Sequence, residues 1–298
     1  MTTPGTVRIG ISGWTYRPWR GVFYPEELPH KQELPYAAKI FPSIEVNGTF
    51  YSLQRPSSFE RWAQETPPNF VFAIKGSRYI THLRRLTGIE SPLANFFASG
   101  VLALGAKLGP ILWQFAPNFR FDAQRFEAFL EILPPDTASA SRLASRHDSR
   151  MSGRASFHID RNRPLRHAVE IRHPSFVTEE FVALLRSHKI ALVCADAVEW
   201  PRLMDVTADF IYCRLHGSKV LYSSGYGNAA LNEWADRVAA WARGRQSANG
   251  EFASTRRPRP RAKRDVYVFF DNDAKVRAPH DALGLSRRVR RTLEAGSP

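Results

Sequence analysis

Cysteine is scarce and long apolar runs are missing, and each shortage excludes a class of protein. Only Cys194 and Cys213 occur in the 298 residues, each inside an apolar run and not spaced as C-x-x-C, so neither a disulfide framework nor a redox pair is expected. They read as buried thiols of a reducing compartment. No apolar stretch approaches the roughly 20 residues of a membrane-spanning helix. The opening MTTPGTVRIG lacks a basic segment followed by an apolar one, so no secretory leader is expected and the expected location is the cytoplasm. No G-x-G-x-x-G follows the first β-rich run and no G-x-x-x-x-G-K-[ST] occurs anywhere, which removes the usual nucleotide fingerprints. H-E-x-x-H and close histidine pairs are likewise missing.

What is present is an ordinary globular composition, 43% hydrophobic, 12% aromatic and 23% charged, which excludes a mostly disordered, collagenous or coiled-coil chain. The formal net charge of +14 suggests nucleic acid until it is located along the chain. Residues 137–166 carry seven Arg against two Asp, and residues 243–264 carry eight Lys or Arg against one Glu, so these two stretches supply +12 of the +14. Both are rich in Ser, Pro, Gly and Arg without a period of 3.6 or 2. They are expected to be surface loops or partly disordered insertions, with phosphate-backbone binding as the alternative use.

Between the insertions, short β-rich runs alternate with stretches of helical spacing. The runs are VRIGISG (7–13), SIEVN (43–47), FVFAIK (70–75), ILWQF (111–115), HAVEIR (167–172), IALVCAD (190–196), DFIYCRLHG (209–217) and VYVFFDN (266–272). Phe126, Phe129, Leu130 and Leu133 mark one amphipathic helix, Phe181, Leu184 and Leu185 a second, and Leu231, Trp234, Val238 and Trp241 a third. Most strands are apolar on both faces, as a parallel sheet covered on both sides requires. Without its insertions the chain is near the about 250 residues of a (β/α)8 barrel. The expected fold is therefore α/β, a TIM-type (β/α)8 barrel forming a single domain over residues 1–298, with an open doubly wound sheet as the alternative.

In such barrels chemistry gathers at the C-terminal ends of the strands, and here nearly every run ends in a functional group: Ser12 and Trp14; Glu45 and Asn47; Lys75; Gln114; Glu170, Arg172 and His173; Asp196; Arg214 and His216; Asp271 and Asn272. Period-two alternation puts Glu45 with Asn47, Glu170 with Arg172, and Arg214 with His216 on shared faces. Ionised groups at that density must pair, bind a metal or await a charged ligand, because desolvation costs several kcal/mol per ion. Glu45, Glu170, His173 and His216 are the candidate acid–base groups, while Lys75, Arg172 and Arg214 suit an anion. Trp14 and Tyr51 offer stacking faces, and Asn47, His82, Gln114, Tyr226 and Asn272 directional hydrogen bonds. No cofactor is assigned; a divalent metal through Glu45, Glu170, Asp196, His216 and Asp271 stays open. So does a self-satisfied salt-bridge layer.

At these residues the sequence resembles the domain of unknown function 72 family, the YecE-like proteins. The resemblance is carried by GISGWTYRPWRGVFYP (10–25), IEVNGTFY (44–51), KGSRYITH (75–82), GPILWQFAPNF (109–119), EIRHPSF (170–176), DFIYCRLHG (209–217), LYSSGY (221–226) and VYVFFDND (266–273). It implies a TIM-type barrel with its motifs around one mouth, and no established reaction. Phe176 stands where the family usually has Trp, and Asp271 where Asn is common. The expected function is an enzyme with hydrolase- or lyase-like acid–base chemistry on a small polar or anionic, phosphate-bearing ligand. The alternatives are a nucleic-acid binding or processing protein using the basic insertions, and a non-catalytic partner-binding barrel.

Overall fold

A computed structural model describes residues 3–217, 221–222, 224–247, 249–258 and 261–295. Eight strands close into a parallel barrel in sequence order: β1 (Val7–Ser12), β2 (Ser43–Val46), β3 (Val71–Lys75), β4 (Leu108–Gln114), β5 (His167–Glu170), β6 (Ala191–Asp196), β7 (Phe210–Leu215) and β8 (Asp265–Phe270), with β8 paired back to β1. All eight expected runs are strands, and the open sheet is excluded. Nine α-helices are described: α1 (Glu33–Ile40), α2 (Gly48–Tyr51), α3 (Pro56–Gln64), α4 (Glu90–Ala98), α5 (Ala123–Glu131), α6 (Thr137–Ala144), α7 (Glu179–Ser187), α8 (Asn228–Ala242) and α9 (Arg277–Ala295). The three expected amphipathic helices are α5, α7 and α8. Side chains start several of them: Asp122 accepts from Arg125 N at 2.9 Å before α5, and Thr178 from Phe181 N at 3.2 Å before α7. No helix of the described residues is long and apolar enough to cross a membrane.

Two apolar layers follow from the period of two. Val71, Ala73, Leu112, Ala168, Val193, Tyr212 and Phe269 fill the lumen, and the opposite strand faces pack against the helices. Small residues on β3, β5 and β6 face large aromatics from β7 and β8, so the lumen is a packed core rather than a channel. Gly10 lies where β1 comes closest to β2; a Cβ there would overlap the Ser43 carbonyl oxygen. Above the apolar filling the same inward positions turn polar.

The basic stretches depart from expectation. Residues 137–166 leave and rejoin the barrel at the N-terminal rim, where Leu165 N donates to Pro135 O at 2.8 Å, but they begin with α6, which packs on α4 and buries Ala140 and Ala144. Alanine spaced by four gave too weak an apolar signal among Ser and Arg to reveal a helix. The second stretch has no helix among its described residues, yet it is tied down. No helix lies between β6 and β7, and part of this stretch covers the segment that replaces it. Met204 N donates to Glu251 O at 2.8 Å, the Asp205 carboxylate accepts from Ala253 N and Ser254 N at 2.8 and 3.1 Å, and Phe252 packs against the core. Its Ala248, Arg259 and Pro260 lie outside the described residues.

Candidate functional site

Inward positions at the strand ends build a buried charged layer around Arg214, whose side chain is wholly inaccessible. Its Nη2 donates to Glu45 Oε1 at 2.9 Å and to Asp271 Oδ2 at 2.6 Å, its Nη1 to Glu170 Oε2 at 2.7 Å, and its Nε to Glu45 Oε2 at 3.0 Å. Glu45 also accepts from the Tyr212 hydroxyl at 2.6 Å and from Ser12, and Glu170 Oε1 accepts from Arg172 Nε at 2.9 Å. Burial pushes the Glu170 carboxyl up, but the Arg214 and Arg172 guanidiniums outweigh it and hold it below the ordinary range. Asp271 follows the same pattern, raised by burial and carried lower above all by Arg214. His216 is depressed by burial and by Arg214. Its Nε2, 3.3 Å from Arg214 Nη1, can only accept there, because a guanidinium has no acceptor. His216 is therefore a neutral imidazole, with Nδ1 3.2 Å from Asp271 Oδ2 but poorly aligned to it.

This layer forms the floor of a cavity of about 740 Å³ at the C-terminal mouth. Gly13, in the left-handed region at φ +81°, donates its N–H to Glu45 O at 2.7 Å and turns β1 outward, so that Trp14 reaches the cavity wall. Of the expected ligand-binding residues, Trp14, Asn47, Tyr51, Lys75, His82, Gln114 and Arg172 line this space. Arg214 lies beneath it with all its charge directed to carboxylates. Glu45, Glu170 and His216 share that floor at 0% exposure. His173 is on the rim, where its Nδ1 accepts from Ser175 N at 3.1 Å and begins a short 3-10 turn.

Tyr226 and Asn272 are not on the cavity wall. The Tyr226 hydroxyl donates to Asp196 at 2.9 Å, while Asn272 donates to Asp281 at 2.8 Å and to Ser224 O at 3.0 Å, binding the 224–226 segment to α9. Asp196 also departs from the grouping by strand ends. Ala195 pairs with Arg214, so Ala195 is the inward residue and Asp196 points outward, where Trp234 Nε1 (3.2 Å) and Arg202 (3.0 Å) bind it. Among the described residues no group of three His, Cys, Asp or Glu has the disposition of a metal site, and a guanidinium stands where Glu45, Glu170 and Asp271 converge.

Phe50 organises the cavity wall. Lys75 Nζ lies 4.7 Å and Arg78 Cζ 6.0 Å from its ring centroid, and the His82 ring meets it edge-on at 5.1 Å. Neither cation has a carboxylate or hydrogen-bond partner among the described residues, and Arg78 Nε is buried. Burial, then Arg214, lowers Lys75 to about 8 against the opposing pull of Glu45, Asp271 and Glu170. His82 falls to about 4 through burial and the nearby Arg172, Arg78 and Lys75, so it is a neutral base at pH 7. Arg172 stacks on Trp200 with its Cζ 3.7 Å from the ring centroid.

Across the cavity, Asp273 is pushed up to about 7 by burial and by Asp271, with a buried Oδ1 that has no partner among the described residues. From sequence Arg78 is not singled out at all, and Asp273 only as the last position of the VYVFFDND motif, without a role. Each continues a motif beyond its strand, in KGSRY and FFDND, where strand periodicity no longer says which way a side chain points.

The family model described as protein of unknown function DUF72 matches residues 8–298. The chain is 30% identical over 118 residues to the UPF0759 protein YunF of Bacillus subtilis (strain 168), a match spanning 38% of this chain and 41% of that relative's length. A DUF72 family protein from Thermotoga maritima has a solved structure that superposes with a TM-score of 0.69 at 25% identity, covering 97% of this chain and 99% of that one. One from Enterococcus faecalis V583, at 16% identity and a TM-score of 0.68 over 96% of each chain, shares the fold. The nearly full-length match to the family model makes this chain a member of the DUF72 family.

Proposed function

We propose that the protein is an enzyme acting on a small anionic molecule, carrying a phosphate or carboxylate, in the cavity at the barrel mouth. One observation carries the reading. Lys75 and Arg78 approach the same Phe50 ring without a carboxylate partner among the described residues, above a layer whose carboxylates already have Arg214 and Arg172. An anion completes that wall at little desolvation cost to the cations, because no internal ion pair has to break. Arg172 adds a third positive group on the same cavity.

Proton transfer falls to groups that touch the cavity rather than to the buried floor. His82 is unprotonated at neutral pH and so open to a proton in transit, and Asp273, near 7, alternates between acid and base. Glu45, Glu170 and His216 serve as the support that holds Arg214 and Asp271 in place. This division suits hydrolysis or elimination.

Thermal-shift titration of the purified protein against phosphorylated sugars, nucleotides, carboxylates, short oligonucleotides and divalent metals tests the proposal. A ligand at about 100 times its dissociation constant adds roughly 2.7 kcal/mol of stability. The shift is expected for a small anion in the wild type and is expected to be lost in Arg78→Gln. A shift by oligonucleotides alone favours the nucleic-acid reading, and a flat response to the whole panel favours a partner-binding barrel.

A further inference from the structure

We propose that Lys75 is a covalent nucleophile that condenses with the carbonyl carbon of an anionic aldehyde or ketone to form an imine. The inference rests on the anion-site reading above and names its substrate class. Lys75 ends β3 on an inward position and reaches the cavity with only 7% of its surface exposed. Lysines are almost never so buried without a partner. Two arginines of the same mouth, Arg172 and Arg214, are tied to carboxylates, whereas the Lys75 ammonium lies against the Phe50 ring face and makes no ion pair or hydrogen bond among the described residues. An amine in that setting gives up its proton readily. With its basicity at about 8 rather than the ordinary 10.5, the free amine at pH 7 is roughly 300 times more abundant than on a surface lysine.

The neighbours supply what condensation needs. Arg78, on the same ring, can hold the substrate's anionic group beside Nζ, and His82 is a neutral base at the ring's edge. The Nζ lone pair forms the C–N bond while the carbonyl π pair moves to oxygen. One proton passes from nitrogen to that oxygen through His82, giving a carbinolamine. Asp273, on the same cavity, is the source of the proton that makes its hydroxyl a leaving group; the C–O bond then breaks with its electron pair as the nitrogen lone pair closes C=N, releasing water. Amine and carbonyl become imine and water, with no oxidant or reductant required. The protonated imine is a cation, and the fields of Glu45, Asp271 and Glu170 favour it as they favour the ammonium.

The test uses pyridoxal 5′-phosphate, which carries both an aldehyde and a phosphate, with cyanoborohydride to reduce the imine at pH 7, followed by peptide mapping by mass spectrometry. Labelling is expected at Lys75 at least tenfold faster than at the exposed Lys31 and Lys189. Inorganic phosphate is expected to suppress it, and pyridoxal without the phosphate to lose the preference. Lys75→Arg, which keeps the charge, is expected to lose the adduct while retaining a cooperative circular-dichroism melt. Labelling at Lys75 no faster than at surface lysines, with phosphate stabilisation intact, overturns the nucleophile and leaves the anion site standing. Preferential labelling that phosphate does not suppress overturns the anionic substrate class. Absence of both effects removes this proposal together with the reading it rests on.

Discussion

Replacing Arg214 by Met probes the charged floor directly. Arg214 pairs with Glu45 at 2.9 Å, Glu170 at 2.7 Å and Asp271 at 2.6 Å, all inside the barrel. In the variant, Glu170 keeps Arg172, but Glu45 and Asp271 lose their guanidinium partner. Removing one partner of a buried ion pair costs about 3–5 kcal/mol. With two buried carboxylates left without a guanidinium and a third keeping only Arg172, the loss at pH 7 is expected near the upper end, about 5 kcal/mol, or roughly 10 °C in Tm for a chain of this size. The pH dependence follows in sign. In the wild type, Glu170 and Asp271 are held below their ordinary values of 4.5 and 3.8, so they contribute stability above those values and lose it as pH falls through the folded ones. Without Arg214, burial raises Asp271 instead, and the variant recovers by taking up a proton there as pH falls. The gap between the two proteins should therefore narrow from pH 7 toward about 4. Urea titrations at both pH values measure it. A loss under about 1 kcal/mol at pH 7, or a gap that stays constant with pH, refutes the account of Arg214 as the group neutralising this layer.

Asp273→Asn should stabilise the protein at pH 8 by roughly 1–3 kcal/mol, because a carboxyl raised from 3.8 to about 7 opposes folding increasingly between those values. That gain should vanish at pH 3.5 in the same melting experiment; a gain persisting there would mean that packing rather than ionisation is responsible. Gly10→Ala forces a methyl group into the Ser43 carbonyl and is expected to cost about 3 kcal/mol or more, read as a lowered circular-dichroism melt. Asp205→Ala removes the acceptor for two backbone amides, so hydrogen exchange at Ala253 and Ser254 should speed up, with a stability loss of about 1–3 kcal/mol. Unchanged exchange at those two amides would contradict the anchoring described for the second basic stretch.

How much of this was legible in the sequence depended on the range of the interaction. Strands and amphipathic helices are written locally, in apolar runs with periods of two and 3.6, so the eight-strand alternation and its closure into a TIM-type barrel could be read in advance. The concentration of polar groups at the strand ends was legible for the same reason. Asp196 shows the limit: it ends an apolar run just as Asp271 follows one, yet only the pairing of Ala195 with Arg214 turns it out of the lumen. The helix within residues 137–166 was hidden because Ala140 and Ala144 become an apolar face only when α4 lies against them. The chemistry was hidden more deeply. Lys75, Arg172 and Arg214 look alike as cations at strand ends, and which of them is bound to carboxylates depends on side chains up to 169 positions apart meeting across the barrel. The sequence by itself determined the alternating elements, the closed barrel and the stock of polar groups near its mouth. Tertiary structure alone decided which charges cancel one another and which face an open cavity, because Coulomb interaction and desolvation depend on distances through space that no local pattern records.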